Sequence, residues 1–268
     1  MPVPENPHES AAAKFSYRLR KLRVDRGMSA KDVAAACYVS RETISAIETR
    51  QLPPRLATAQ FLDELFDLTE LAYFEDAYHD IVREATWSPF RLYKAQEALA
   101  RSIRSYDPLH IYGVFQTVAY ARELLSSYEP PHKVDEYVAM RMSRQEILAR
   151  DHPPQIVAVI RESVLRETVG GSQVMQEQLA RLLEISELPC VGIHVVPTGG
   201  RVFPLGMFRL LTYDVDADLG YVETAIGGHV VEPPEQVNLL SMWFDRILGD
   251  ALPADASGEL IRTIMESM

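Results

Sequence analysis

The segment from Met28 to Arg50, MSAKDVAAACYVSRETISAIETR, constrains the fold of this chain more than any other stretch. Ser29 and Ser40 each precede a helical pattern of apolar residues, and a serine in that position accepts a hydrogen bond from a free amide of the first turn. Two helix starts eleven positions apart leave room for only a short connection. The segment therefore predicts two short helices joined by a tight turn.

The two predicted helices have one apolar side and one polar side. Apolar residues recur at helical spacing on the facing sides, namely Val33, Ala34 and Cys37 on the first helix and Ile44 and Ile47 on the second. The outer side of the second helix carries groups that can donate to guanine, accept from cytosine or bind phosphate oxygens, namely Arg41, Glu42, Ser45 and Thr49. This pattern favours sequence-specific DNA binding.

The stretch from Phe15 to Leu68 resembles an Xre or Cro-type helix-turn-helix domain over its whole length. Beside the two-helix unit, the resemblance rests on an earlier helix, a glycine, the run IETRQLPPR and a last apolar helix, represented by Phe15, Leu19, Leu22, Arg23, Gly27, Leu62, Leu65 and Phe66. It implies a five-helix fold in which the second helix of the motif, the recognition helix, enters the major groove.

The resemblance also implies roles for individual side chains of the motif. Bases would be faced by Arg41, Glu42 and Ser45. Phosphates would be contacted by Ser29 and Thr49, and the predicted DNA-binding set is completed by Ser40 and Arg50. Base contacts carry the sequence information, whereas phosphate contacts fix the position of the protein on the duplex.

Two pairs of residues bear on the stability of the predicted domain. The resemblance implies that Glu48 pairs with Arg23 beneath the recognition helix, so that loss of the pair should unfold the domain. Tyr38 and Arg50 stand where relatives usually have glycine, at positions that tend to need a positive φ angle. A side chain there costs on the order of 1 kcal/mol. We expect Arg50 to offset this strain through a phosphate contact.

The charge of the chain is divided between its two parts. From Lys14 to Arg55 there are ten basic and four acidic residues, although the whole chain carries a formal charge of −11. From Leu71 onward there are 17 basic and 28 acidic residues. The positive field is therefore local, and the acidic part should be repelled by a polyanion. We expect that part to lie away from DNA.

The chain is predicted to be mostly α-helical and to contain two domains. The segments are a flexible start (1–13), the helix-turn-helix domain (14–70), a helical linker (71–106) and a C-terminal regulatory or interaction domain (107–268). A helix is predicted over Arg91–Ser105, and β-branched runs such as Val191–Val196 and Leu219–Thr224 predict strands. The last segment reads as an α+β domain with a small, mostly antiparallel sheet.

The region from Leu99 to the end contains a series of motifs, namely IYGVFQTVAYAREL, RMSRQEIL, VIRESVLRETVGGSQVMQEQLARLLE, VGIHVVP, GMFRLL, YVET and a closing helix with Trp243 and Phe244. In their order and spacing they resemble a domain of unknown function that follows Xre-type readers in actinobacterial regulators of the WhiJ-like, antitoxin-like kind. The chain departs from the family at Tyr112-Gly113, where Pro-Gly is usual. The resemblance implies regulation, often with a small partner protein encoded nearby.

Two hypotheses remain for the function of this domain: binding of a partner protein, which we favour, and sensing of a small molecule. The candidate contact residues are Gln116, Tyr120, Arg141, Arg144, Gln145 and Glu162. A purely structural interpretation, in which they form hydrogen bonds and ion pairs between helices, stands beside both hypotheses. A docking site should leave an exposed apolar patch, whereas a sensor should enclose a cavity.

Catalysis is a weaker alternative, carried by a possible cluster of His194, Glu223 and His229 on predicted strands. These residues lack HExxH-type spacing, and the chain shows no nucleotide, metal or haem signature, so we predict neither enzymatic activity nor a cofactor. Cys37 and Cys190 are too few for a disulfide framework and favour a reducing cytoplasm. No apolar run approaches the length of a membrane span.

The small size of the predicted DNA-binding domain bears on its assembly. One such domain contacts only a short half-site, so useful specificity predicts a homodimer on an approximately palindromic operator in double-stranded DNA. Half-sites would lie about one helical turn apart. The sequence as a whole therefore predicts a transcriptional regulator, which we expect to act as a repressor.

Overall fold

The computed structural model of this chain describes residues 10–83, 89–199, 205–224 and 227–268. The helices are α1 (Ala11–Asp25), α2 (Ala30–Ala36), α3 (Arg41–Glu48), α4 (Leu56–Leu65), α5 (Tyr73–Arg83), α6 (Pro89–Glu97), α7 (Val118–Ser126), α8 (Pro131–Ser143), α9 (Glu162–Arg166), α10 (Ser172–Ser186), α11 (Pro234–Gly249) and α12 (Ala254–Glu266). The strands are β1 (Ser102–Asp107), β2 (Gln155–Arg161), β3 (Val191–Val196), β4 (Phe208–Thr212), β5 (Leu219–Thr224) and β6 (Gly227–Val231). Short 3-10 helices lie at Thr69–Leu71, Gly113–Phe115 and Arg144–Ala149.

Helices α1 to α5 pack around one apolar core and form the N-terminal unit. The core joins Phe15 of α1, Ile44 of α3 and Phe66 after α4 with Phe74 and Ile81 of α5, all of which are buried. The rings of Phe15 and Phe74 meet edge to face with centroids 5.2 Å apart, an arrangement that aromatic pairs prefer. The fifth helix of the unit is therefore α5, although it falls in the stretch 71–106 that was predicted to be a linker.

Helix α1 begins at Ala11, inside the segment 1–13 that was predicted to be flexible. Residues 1–9 lie outside the described part of the chain. Ser10 caps α1, because its hydroxyl accepts a hydrogen bond from the backbone N–H of Ala13 at 3.1 Å. Ala11 and Ala13 are buried. Small side chains that fit against the core thus extend α1 beyond the boundary predicted at Lys14.

The C-terminal domain, which comprises α6 to α12 and all six strands, is built on one mixed sheet with the order β3-β2-β1-β4-β5-β6. Strands β1 and β2, and β2 and β3, pair in parallel. The pairs β1–β4, β4–β5 and β5–β6 are antiparallel. The predicted α+β class is confirmed, and three of the five strand pairings are antiparallel, so the sheet is mostly but not purely antiparallel. Helical crossovers join the parallel strands.

The central strand β1 stands where the sequence predicted the end of a helix over Arg91–Ser105. The structure ends α6 at Glu97 and continues with β1. Leu99, Ile103 and Tyr106 are spaced four and three residues apart, which is the helical period and misled the prediction. Pairing with β2 on one side and β4 on the other decides the strand conformation, and a local pattern does not contain that information.

The sheet separates two apolar layers, because alternate residues of a strand point to opposite faces. Ile156 and Ala158 of β2 pack in one layer, which includes α10 and α12. Val159 packs in the other layer with Phe208 of β4 and Phe244 of α11. None of the helices in the described ranges has both the length and the apolar character needed to cross a bilayer.

Candidate functional site

The helix-turn-helix geometry is fixed by hydrogen bonds at the start of each helix. The Ser29 hydroxyl accepts from the backbone N–H of Asp32 at 3.2 Å, and the Asp32 carboxylate accepts from the backbone N–H of Ser29 at 2.7 Å. The Ser40 hydroxyl accepts from the backbone N–H of Thr43 at 3.0 Å. Hydrogen bonding to Ser29 lowers the pKa of Asp32. Helices α2 and α3 thus begin at the two serines that predicted them.

Two residues of the motif have a left-handed backbone conformation. Tyr38, in the turn before α3, has a φ angle of 53°, and Arg50, just after α3, has a φ angle of 62°. These are the two positions at which the sequence predicted a positive φ without glycine, and the prediction is confirmed. The ring of Tyr38 packs edge to face on Phe61 with centroids 5.3 Å apart, a contact that offsets part of the strain.

The outer side of α3 carries the side chains predicted to contact DNA. Arg41, Glu42 and Thr49 are exposed, and Ser45 and Arg50 are partly buried. The Thr49 hydroxyl donates to the backbone carbonyl of Ser45 at 2.9 Å, a hydrogen bond that a phosphate contact would replace. Arg41 and Glu42 therefore are the charged groups that α3 presents to solvent.

The opposite side of α3 is joined to α1 by an ion pair between Arg23 and Glu48. Arg23 donates from Nε to Oε1 of Glu48 at 2.5 Å and from Nη2 to Oε2 at 2.8 Å. Its Nη1 also donates to the backbone carbonyl of Met28 at 3.1 Å. The hydrogen bonds that Arg23 donates to Glu48 raise the pKa of Arg23. Three contacts from one guanidinium thus fix the end of α3 and the start of the motif relative to α1.

The C-terminal domain touches the N-terminal unit at the start of α3 and of α4. The Asp216 carboxylate accepts from the backbone N–H of Ser40 at 2.9 Å and from the Thr43 hydroxyl at 2.9 Å. The Glu232 carboxylate accepts from the first two backbone N–H groups of α4 at 3.1 and 3.0 Å. The sequence reasoning missed these contacts. The alternating aspartates of YDVDADLG, after β4, are a signal for Asp216, whereas nothing in the sequence singles out Glu232.

The residues predicted to contact a partner or ligand make hydrogen bonds inside the C-terminal domain. The Gln116 side chain donates to the backbone carbonyl of Ile111 at 2.6 Å and accepts from Arg141 at 2.9 Å. Its backbone carbonyl accepts from the Gln145 side chain at 2.6 Å. The Tyr120 hydroxyl accepts from the backbone N–H of Ile111 at 3.4 Å. These four residues therefore tie the loop before α7 to the end of α8 and the segment after it.

The remaining two members of this set are in ion pairs. Arg144 is paired with Glu97, and Glu162 accepts from Arg166 at 2.6 Å and from the backbone N–H of Thr198 at 2.6 Å. The buried members of the set are Gln116, Tyr120, Arg144 and Glu162. Hydrogen bonds and ion pairs within the domain are what the purely structural interpretation of this set predicts. A protein that docks on the surface has no direct access to the buried side chains.

Glu97, at the end of α6, is the centre of a buried charged cluster. Arg144 donates to its two carboxylate oxygens at 2.7 Å each, and the Tyr112 hydroxyl donates at 2.5 Å. The Tyr93 hydroxyl donates to the same carboxylate. Burial opposes the ionisation of Glu97, but Arg144 and the two hydroxyls lower its pKa. The cluster therefore holds a charged carboxylate in the core of the domain.

A second buried pair, Asp107 and Arg209, lies beside the first. Arg209 Nη2 donates to the Asp107 carboxylate at 3.1 Å, and the Ser105 hydroxyl donates to the same carboxylate at 2.5 Å. Burial raises the pKa of Asp107 to about 6 against the opposing charge of Arg209. Among the described residues, Arg209 Nε has no hydrogen-bond partner. Burial lowers the pKa of the neighbouring His110 to about 4.

The possible catalytic cluster is not assembled in this fold. His194 lies on β3, at one edge of the sheet, whereas Glu223 and His229 lie on β5 and β6 at the other edge. Four strand spacings of about 4.8 Å separate β3 from β5, which gives a distance of about 19 Å. The His194 Nδ1 is hydrogen-bonded to the backbone carbonyl of Leu252 at 3.0 Å. No group of metal-ligating side chains occurs within the described ranges.

Comparison with known proteins agrees with this division of the chain. The fold and the exposed α3 define a DNA-binding transcription regulator of the Xre type, and residues 19–74 match the helix-turn-helix family. Residues 90–263 match the domain of unknown function DUF5753. The chain therefore belongs to the DUF5753 family. An Xre-type helix-turn-helix domain followed by this domain of unknown function is confirmed, whereas the likeness to WhiJ-like, antitoxin-like regulators stays a prediction. Neither the curated proteins nor the solved structures contain a match to this chain.

Proposed function

We propose that this chain regulates transcription by inserting α3 into the major groove of a specific DNA sequence. One observation carries the proposal: Arg41 and Glu42 project from a helix whose opposite side is buried and ion-paired to α1. Arginine pairs with guanine through two hydrogen bonds, and glutamate accepts from cytosine. A helix held this rigidly can place both groups against base edges.

The remaining polar residues of the motif supply the other contacts in this proposal. Ser45 faces a base beside Arg41 and Glu42. The flanking phosphates are contacted by Ser29, Ser40, Thr49 and Arg50. Two copies of the chain bind one approximately palindromic operator, since a single α3 reads only a short half-site. Bound there as a homodimer, the protein represses the adjacent gene.

The C-terminal domain is proposed to bind a small partner protein, as in the antitoxin-like, WhiJ-like regulators that it resembles. Its excess of acidic residues from Leu71 onward suits electrostatically steered association with a basic partner. One observation favours the alternative, sensing of a small molecule: Arg209 Nε is buried without a hydrogen-bond partner among the described residues. A ligand acceptor reaching that nitrogen would complete its hydrogen bonding.

Selection from a pool of random duplexes by the full-length chain at low salt tests the DNA-binding proposal. We expect one sequence motif to be enriched, with two-fold symmetry if the protein binds as a dimer. Affinity for the enriched duplex should fall steeply as salt rises, because phosphate contacts release counterions. The proposal would be contradicted if neither the wild-type chain nor the variants described below enriched any sequence motif.

A further inference from the structure

The start of α3 is occupied by a carboxylate of the C-terminal domain. Asp216 Oδ1 accepts from the backbone N–H of Ser40, and its Oδ2 accepts from the Thr43 hydroxyl, each at 2.9 Å. Thr43 is buried. The start of a helix carries a partial positive charge and free N–H groups that bind anions. Asp216 therefore fills a place that suits a phosphate oxygen.

The start of α4 is occupied in the same way by Glu232. Its Oε1 accepts from the backbone N–H of Leu56 at 3.1 Å, and its Oε2 accepts from that of Ala57 at 3.0 Å. Arg55, the residue that precedes α4, makes no capping hydrogen bond with its side chain. A group from another part of the chain thus supplies the cap that the local sequence lacks.

Arg55 strengthens the same interface from the side of the N-terminal unit. Its guanidinium donates to Gln96 Oε1 at 3.1 and 2.6 Å and to the backbone carbonyl of Ala217 at 2.7 Å. It also lies over the ring of Tyr213, 4.5 Å from the centroid. One of the ten basic residues counted between Lys14 and Arg55 is therefore buried against the C-terminal domain and gives nothing to DNA.

We propose that the C-terminal domain blocks DNA binding within its own chain, with the carboxylates of Asp216 and Glu232 standing in for DNA phosphates at the starts of α3 and α4. The inference rests on the DNA-binding function proposed above. The first residues of a recognition helix approach base edges in the groove, so a loop seated there excludes the duplex. The acidic neighbours Asp214 and Asp218 add repulsion toward a polyanion.

This arrangement makes DNA binding and docking of the C-terminal domain mutually exclusive. The chain binds DNA only in a state in which the loop from β4 to β5 and the end of β6 have left the N-terminal unit. An effector that binds the separated state better than the docked state raises the affinity for DNA by shifting that equilibrium. The acidic domain then lies away from DNA, as the division of charge predicts.

Paired variants of the full-length chain test the inference. Asp216→Asn with Glu232→Gln weakens both carboxylate contacts. Asp214→Asn with Asp218→Asn removes an equal number of charges from residues that pair with Arg101 and Thr212 instead. We expect the first pair to bind the selected duplex about tenfold more tightly than the wild-type chain, and the second pair to change the affinity by less than about threefold.

The outcomes separate the two proposals. Equal affinities of the wild-type chain and both variant pairs would overturn self-blocking while leaving DNA binding intact. Failure of all three proteins to bind any duplex would overturn the DNA-binding function, and self-blocking with it. The unaltered chain provides a second measurement, hydrogen exchange of residues 213–219 and 228–234. We expect exchange there to increase when the duplex binds, and unchanged exchange in the DNA complex would overturn self-blocking.

Discussion

Arg23 holds Glu48 through two hydrogen bonds of 2.5 and 2.8 Å, and this pair joins α1 to the end of the recognition helix. Both side chains are largely buried, with 16% and 10% of their surface exposed. A buried pair of this kind does not itself add much stability, but removing one partner leaves an uncompensated charge. The position of α3 in the N-terminal unit therefore depends on this contact.

The Arg23→Met variant should lower the free energy of unfolding by about 2 to 4 kcal/mol, since Glu48 keeps its charge without a partner. Lys21→Met is the matched control on the same helix, because the Lys21–Asp25 pair is exposed. It should leave the stability close to that of the wild-type chain, because an exposed ion pair contributes little. Urea denaturation of both variants measures the difference, and equal stabilities would show that the pair does not hold α3 in place.

Arg50 offers a test of backbone strain, since it has a φ angle of 62° at the end of the motif. Arg50→Gly and Arg50→Ala remove the same side-chain contacts and differ only in the Cβ atom. The glycine variant should be more stable by about 1 kcal/mol, because glycine adopts positive φ without a steric penalty. Thermal unfolding of the two proteins compares them directly. A glycine variant no more stable than the alanine variant would rule out strain at this position.

Arg41 should determine the preference for one base in the operator. The Arg41→Ala variant is expected to lose about 1 to 3 kcal/mol of binding free energy on the selected duplex and to relax specificity at one position. Thr49→Ala, at a predicted phosphate contact, should weaken binding equally on all sequences. Titration of both variants against duplexes changed one base pair at a time distinguishes these effects. If Arg41→Ala weakened binding to every sequence by the same factor, Arg41 would contact only phosphate and would not determine a base preference.

His110 should make the stability of the C-terminal domain sensitive to acid. Burial lowers the pKa of His110 to about 4 in the folded chain, whereas the unfolded chain binds the proton near pH 6.5. The stability contributed by the neutral ring is therefore present above about pH 6.5 and is lost as the pH falls toward 4. Asp107, whose pKa is raised to about 6 by burial, acts in the opposite direction over much of this window.

A comparison of variants isolates the contribution of His110. Between about pH 7 and 4, the wild-type chain should lose about 2 kcal/mol more unfolding free energy than His110→Gln. The full difference between the folded and unfolded pKa of His110 corresponds to a larger loss, but the ring is only partly buried. His152, an exposed histidine, is the matched control, and His152→Gln should follow the wild-type curve. Parallel curves for the wild-type chain and His110→Gln would contradict the assignment.

The local signals in the sequence predicted most of the secondary structure. Ser29 and Ser40 marked the starts of α2 and α3, and the β-branched runs gave β3 and β5 with the bounds that the structure has. Such features are predictable because caps and side-chain alternation act within a few residues. The positive φ of Tyr38 was predictable from the family resemblance, because relatives usually have glycine at that position.

Features that depend on distant parts of the chain could not be predicted in this way. Strand β1 is defined by its pairing with β2 and β4, and α5 joins the N-terminal unit through Phe74, which packs on Phe15. Glu232 caps a helix about 175 positions away along the chain. Tertiary contacts of this kind override local preference and leave no trace in a local pattern.

The ratio of affinities for the selected duplex and for a scrambled duplex of the same composition tests the central claim most directly. Self-blocking weakens binding to both duplexes equally, so the ratio reports recognition by α3 alone. The account predicts a ratio of about 10³ or more at physiological salt for the full-length chain. Equal affinity for the two duplexes would show that α3 does not recognise a sequence and would contradict the account.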